Sequence, residues 1–218
     1  MQRRGSADEG RERHDGDKSR SLLKSSGGTA HVRATPFDRY PWLYDRWYDE
    51  NPHIYQAEVR ALEQYVPWRG SGLEVGVGTA RFAAPLQIEV GVDISPAMVR
   101  IARERGVEAV VGAAEALPFC DRVFDFVLMV TVVCFIEDTL AAFREVRRIL
   151  KEGGSLTLGI IDRESPLGRQ YLRERAESIF FRDAVFYSTG EVESLLEKAG
   201  FLDREVVQTV FEGFPDAP

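Results

Sequence analysis

Histidine and cysteine are scarce in this chain. Three histidines occur, and only His53 lies beyond the first 35 residues. The two cysteines, Cys120 and Cys134, are too few for a disulfide framework and lack zinc-ligand spacing, so no metal is expected. No apolar run approaches the ~20 residues a membrane helix needs, which argues against membrane insertion. The first residues contain no apolar h-region, so no secretory signal is visible. A reducing cytoplasm is the expected location. A basic balance is missing too. The net charge is −7; residues 1–35 hold eight Lys or Arg and five Asp or Glu, which leaves −10 on the remainder. An acidic body is a poor partner for nucleic acid, whose binding rests on phosphate neutralisation. A small molecule is the expected partner; nothing here fixes an oligomeric state.

What is present suits a single domain. Of 218 residues, 44% are apolar, enough for a sizeable core. Residues 1–35 are polar and charged and are expected to form a disordered tail. Residues 36–70 are read as an N-terminal helical cap, opening on Phe37, Tyr40, Trp42, Tyr44, Trp47 and Tyr48 and continuing as a helix over about 53–66. Residues 71–218 alternate strand and helix signals. Strands are expected near 72–75, 88–93, 107–111, 124–130, 156–161 and 204–211. Helices are expected near 79–84, from Ser95-Pro96 to Gly106, from Asp138 to Lys151 with Gly153-Gly154 as its stop, and up to Gly200. This alternation argues for a doubly wound parallel α/β sheet, whose ligands bind beyond the carboxyl ends of the strands.

One stretch sits at that edge and carries chemistry: Glu74-Val75-Gly76-Val77-Gly78-Thr79-Ala80-Arg81. Glycines after a buried strand let a ligand approach bare backbone. Counted as Gly-x-Gly-x-x-Gly, the third position is Arg81, which argues against a dinucleotide site and a nicotinamide oxidoreductase. Counted as Glu-x-Gly-x-Gly-x-Gly, it fits except for Ala80. A plain tight turn is the bland alternative. Asp93, 19 residues after Glu74, ends the next apolar run, where a carboxylate can accept both hydroxyls of an adenosine ribose or cap the helix at Ser95.

Further along stand Gly112-Ala113-Ala114-Glu115-Ala116-Leu117-Pro118-Phe119, the strand Phe124–Val130, and Arg147-Arg148-Ile149-Leu150-Lys151-Glu152-Gly153-Gly154. With these in register, residues 37–211 resemble the class I S-adenosylmethionine-dependent methyltransferases, in the small-molecule group with a methyltransferase-11-like domain. The resemblance implies a Rossmann-like sheet of order 3-2-1-4-5-7-6, with the seventh strand absent from this chain. It implies S-adenosylmethionine as cofactor and methyl transfer to a small acceptor. Residue by residue, it implies that the backbone from Glu74 through Gly76 to Gly78 cradles the methionine moiety and that Asp93 holds the ribose. Ile94 would pack on adenine, Ala114 would offer its N–H to the ring, and Val130 would face the reacting centre.

Three departures from the family pattern bear on the site. Ala113 stands where the family often has Asp, so Glu115 is the candidate replacement for the adenine contact. Cys134-Phe135 stands where the family often has His-His. The seventh strand has no counterpart. A non-catalytic S-adenosylmethionine-binding sensor or partner subunit is therefore the alternative reading. For a general base the candidates are Asp162, Tyr44 and His53, each with a bland alternative: solvated loop, core packing and surface helix start. The aromatic cluster at 40–48 reads either as a lid, with Tyr44 nearest the cofactor, or as packing for the first helix. Cys134 reads as a buried, inert thiol.

Overall fold

The structure is a computed structural model, and it describes residues 22–23, 35–67 and 69–209. Three helices open it: α1 (Pro36–Arg39), α2 (Pro41–Glu50) and α3 (Pro52–Leu62). Each begins at a proline, whose fixed φ and missing N–H suit a first helical turn. The sheet then builds from β1 (Gly72–Val75), β2 (Val90–Asp93), β3 (Glu108–Val111), β4 (Phe124–Val130) and β5 (Leu150–Gly159). Helices α4 (Pro96–Glu104), α5 (Thr139–Ile149), α6 (Pro166–Glu174) and α7 (Thr189–Lys198) complete the order. All pairings are parallel, in the order β3-β2-β1-β4-β5. β1 therefore lies centrally, with Glu74 opposite Gly91 on one side and Leu128 on the other.

Two cores cover the two faces. One packs Leu73, Val75, Val127 and Met129 against Phe143, Val146 and Ile149 of α5 and Val192 of α7. The other packs Phe126 and Leu128 against Val99 and Ala102 of α4 and the α2–α3 residues Tyr48, Tyr55 and Leu62. The alternation 126/128 against 127/129 is the period-two signature of a strand buried on both sides.

Several sequence expectations shift. The helix expected at 79–84 is a series of turns instead. Ala80 and Gln87 bracket it with φ of 62° and 57°, and Pro85 removes a donor between them. The helix expected over 53–66 ends at Leu62. The helix expected to reach Lys151 ends at Ile149, because Leu150 already pairs with Phe124; Gly153-Gly154 falls within β5 beside a register shift, not at a helix stop. Residues 204–209 of the last expected strand form no strand, and 210–211 lie outside the described residues. The expected tail lies mostly outside the described residues as well. Leu22 and Leu23, an apolar pair, are described and packed: Leu23 bridges Phe119, and the Cys120 N–H donates to the Leu22 carbonyl (2.8 Å). No helix among the described residues is long and apolar enough to cross a membrane.

Candidate active site

The glycine turn hangs from the carboxyl end of β1. The N–H groups of Gly76 and Val77 both donate to the Val92 carbonyl (2.8 and 3.0 Å), which ties the turn to β2. Gly76 has φ 73°, and a Cβ there would stand 2.3 Å from Val132, so glycine is required twice over. Gly78 has φ 51° and faces Tyr44, whose hydroxyl lies 3.5 Å from where a Cβ would be. Ala80, at the third position of the Glu-x-Gly-x-Gly-x-Gly pattern, is left-handed too (φ 62°). The backbone asks for glycine and holds an alanine under strain.

Two carboxylates frame this turn. Glu74 is buried (1% exposed), its Oε2 has no partner, and burial pushes its carboxyl well above the ordinary range. Asp93 accepts from the Gly78 N–H (2.8 Å) and the Ser95 N–H (2.8 Å). Burial is the largest influence on it and raises its pKa. Those bonds occupy two of about four acceptor positions on a carboxylate, so Asp93 retains capacity for hydroxyl donors. The alternative in which Asp93 itself caps the helix is met by Ser95 instead, which caps α4 by accepting from the Met98 N–H (3.2 Å). Ser95 donates its hydroxyl to Asp38 (2.6 Å), a contact the sequence did not signal. Burial raises Asp38, but bonds from Ser95, Thr35 and Ala97 outweigh it and lower its pKa.

Ile94 is 43% exposed beside Asp93, an apolar side chain at the strand edge. Ala114 opens a short 3₁₀ turn (Ala114–Ala116) after β3. Glu115 lies on that turn, and its Oε1 accepts from the N–H groups of Glu137 (3.1 Å) and Asp138 (3.4 Å), so one of its oxygens fastens the loop before α5. Val130 ends β4 opposite Gly159, and Thr131 follows with φ 52°. A β-branched residue there is a true outlier, and such strain gathers at functional edges. A small pocket opens at this point, lined by Thr131, Val133, Cys134, Gly159, Ile161 and Tyr187.

The base candidates separate. Asp162 accepts from the Glu164 N–H (2.8 Å) and the Thr189 hydroxyl (2.9 Å), which makes it a pin for the loop after β5. His53 is exposed in the first turn of α3. Cys134 donates weakly to the Thr131 carbonyl, and burial pushes its thiol up to about 12, so it carries no thiolate near neutrality. The aromatic cluster divides by position. Tyr48 is buried as packing, Tyr44 lies over the turn and shares a 2.8 Å hydroxyl contact with Tyr48, and Trp42 is exposed under Arg46.

Two features had no signal in the sequence. Asp45 binds the guanidinium groups of Arg81 (2.7 Å) and Arg105 (2.7 Å) and the Thr79 hydroxyl (2.7 Å). Arg81, which argued against a dinucleotide, thus latches the cap to the turn. Glu58 is the other. It is half-buried on α3, and burial pushes its carboxyl up to about 7.

A methyltransferase domain model matches residues 73–158, from β1 to the end of β5. A solved Thermotoga maritima protein, described as an S-adenosylmethionine-dependent methyltransferase and possible histamine N-methyltransferase, is 47% identical. The match covers 76% of this chain and 79% of that one, with a TM-score of 0.74. The chain belongs to the class I S-adenosylmethionine-dependent methyltransferases. This methyltransferase is also 46% identical over 176 residues to an uncharacterized protein of Methanocaldococcus jannaschii, covering 81% of the chain and 85% of the relative. It is 41% identical over 162 residues to an uncharacterized Mycobacterium tuberculosis protein, where it covers 72% of itself but 57% of that relative. S-adenosylmethionine is the cofactor of the methyltransferase, and the expected sheet order is borne out from strand 3 to strand 5.

Proposed function

We propose that this methyltransferase acts on a small-molecule acceptor and that the turn between β1 and β2 holds the donor. The carrying observation is the fit of that edge to a methionine-plus-adenosine ligand. Gly76 and Gly78 present backbone without Cβ atoms, Glu74 keeps a buried oxygen without a partner beneath them, and Asp93 retains free acceptor positions. In this reading Glu74 to Gly78 line the amino-acid portion, Asp93 accepts the ribose hydroxyls, and Ile94 and the Ala114 turn sandwich the adenine. Tyr44 closes over the turn, while the Val130–Thr131 corner faces the transferred group.

Bound S-adenosylmethionine supplies a methyl group already activated by sulfonium charge. The chain supplies alignment and exclusion of water. Tyr44, Phe37 and Phe180 form that cover: Phe37 stacks on Phe180 at 5.0 Å, and both meet Tyr44 edge-on at 5.8 and 6.0 Å. Asp45 holds the cover in place through Arg81 and Arg105. An acidic body and an enclosed aromatic edge both favour a small acceptor over a nucleic acid strand.

Calorimetry with S-adenosylhomocysteine tests the donor assignment. Wild-type protein is expected to bind it, and Asp93→Ala to bind at least ~10-fold more weakly, as for loss of hydrogen bonds to a charged acceptor. Unchanged affinity in Asp93→Ala would remove the ribose assignment.

A further inference from the structure

The donor turn ends on a strained residue that three segments hold in place. Ala80 stands where the Glu-x-Gly-x-Gly-x-Gly pattern has its last glycine. It is fully buried and keeps a left-handed backbone (φ 62°). A Cβ disfavours that region, so the surroundings must impose the conformation. The carbonyls on either side of Ala80 show how. The Thr79 carbonyl accepts from Arg105, at the C-terminus of α4, and the Arg81 carbonyl accepts from the Tyr55 hydroxyl of α3. Asp45 of α2 closes the arrangement. It accepts from the Thr79 hydroxyl (2.7 Å), from Nε and Nη2 of Arg81 (both 2.7 Å), and from Nη1 and Nη2 of Arg105 (2.8 and 2.7 Å). Arg81 also reaches the Asp45 carbonyl (3.0 Å) and Asp49 (2.8 Å), and its guanidinium lies over the rings of Tyr48 (5.6 Å) and Tyr55 (5.9 Å). These donors fill the roughly four acceptor positions of a carboxylate, so Asp45 has none left for a ligand. Its neighbour Tyr44 lies over Gly78, whose N–H is held by Asp93.

We propose that the latch of Asp45 with Arg81 and Arg105 takes the place of the missing glycine: it holds Ala80 left-handed, fixes the donor turn and seats Tyr44 over it. Asp45 is then a positioning residue for the donor, acting through the turn without touching the ligand. A glycine would adopt this φ unaided. With an alanine, a turn freed from the latch redistributes toward the right-handed and extended regions by a factor of roughly ten. The left-handed form is the binding-competent one, so the apparent affinity for the donor falls by the same factor. Paired guanidinium–carboxylate bonds suit the task, because a bidentate contact fixes orientation as well as distance. Arg81 and Arg105 each make one to Asp45, from opposite ends of the turn-and-helix segment that begins at Gly78.

The proposal deepens the donor assignment above and rests on it. The test is a double-mutant cycle on the full chain, read by calorimetry with S-adenosylhomocysteine. With Ala80 in place, Asp45→Asn is expected to weaken binding ~10-fold or more. In the Ala80→Gly background the same substitution is expected to weaken it by less than about threefold. The stoichiometry of each titration separates positioning from folding. A residue that only kept the chain folded would lower the number of sites and leave the affinity of the rest unchanged; a full complement of weaker sites is expected. Arg105→Gln removes one guanidinium and leaves the Arg81 pair. It is expected to show a smaller loss with the same dependence on residue 80, and it carries the comparison if Asp45→Asn does not fold. Asp93→Ala is the control: its loss is expected to be equal in both backgrounds, since Ala80→Gly cannot restore a ligand contact. Affinity within about twofold of wild type in Asp45→Asn, or an equal loss with and without Ala80→Gly, overturns the latch and leaves the donor site standing. Failure of wild-type protein to bind S-adenosylhomocysteine overturns the donor reading instead.

Discussion

The two halves of the ligand edge are built from different materials. The donor half is backbone: glycines at positive φ, N–H groups tied to Val92 and Asp93, and a short 3₁₀ turn, all within residues 74–116. The cover half is side chain: rings drawn from α1, α2, the loop after β4 and the loop after α6. Backbone geometry of this kind leaves a readable spacing of glycines in the sequence. A cover of side chains drawn from distant segments leaves no such spacing.

The comparison is broken most severely at Gly76. Gly76→Val would force a side chain into Val132 and into a left-handed backbone, and is expected to cost about 3–5 kcal/mol with loss of S-adenosylhomocysteine binding. Urea denaturation and calorimetry would show both. An equally stable, cofactor-binding variant would mean that the turn does not hold the ligand.

The pH dependence singles out α3. Burial pushes the Glu58 carboxyl up to about 7 from its ordinary value of 4.5. Its contribution is therefore fully present below about 4.5 and is lost as pH rises through 7. Because the group is only half-buried, the loss is at most about 3 kcal/mol. Glu74 and Asp93 shift in the same direction, so the informative quantity is the difference between Glu58→Gln and wild type. The variant is expected to gain stability relative to wild type between pH 5 and 8; a flat difference would show that the carboxyl is not desolvated.

The latch between the halves should cost less. Asp45→Ala leaves Arg81 and Arg105 without their shared carboxylate and is expected to destabilise by about 2 kcal/mol, below a fully buried pair because these side chains are partly exposed. Burial raises Asp45, but its bonds to Arg105, Arg81 and Thr79 outweigh this and hold its carboxyl well below the usual range. This contribution is thus present at neutral pH and lost only in strong acid. The smallest expected effect is a gain. Ala80→Gly relieves a left-handed alanine and should add about 0.5–1 kcal/mol, read as a shift in denaturation midpoint.

These contrasts explain what could be read before the structure. β1 and β4 were legible to the residue because buried parallel strands are continuous apolar runs bounded by glycine and polar residues. The Glu74–Gly78 turn and Asp93 were legible because their spacing reflects backbone geometry. The helix expected at 79–84 failed because the left-handed φ values at Ala80 and Gln87 are tertiary choices that no propensity reveals. The bonds that Glu115 makes were not legible because its partners, the Glu137 and Asp138 N–H groups, lie 22 and 23 residues away. Glu58 was silent for a similar reason: a single Glu on an amphipathic helix reads as a solvated face until the fold half-buries it.

Calorimetry with S-adenosylhomocysteine tests the division of labour most directly. Asp93→Ala is expected to weaken binding ~10-fold or more, and Glu58→Gln, on α3 away from the turn, to leave it within about twofold. If Asp93→Ala bound as tightly as wild type, the turn between β1 and β2 would not hold the donor and the account would be contradicted.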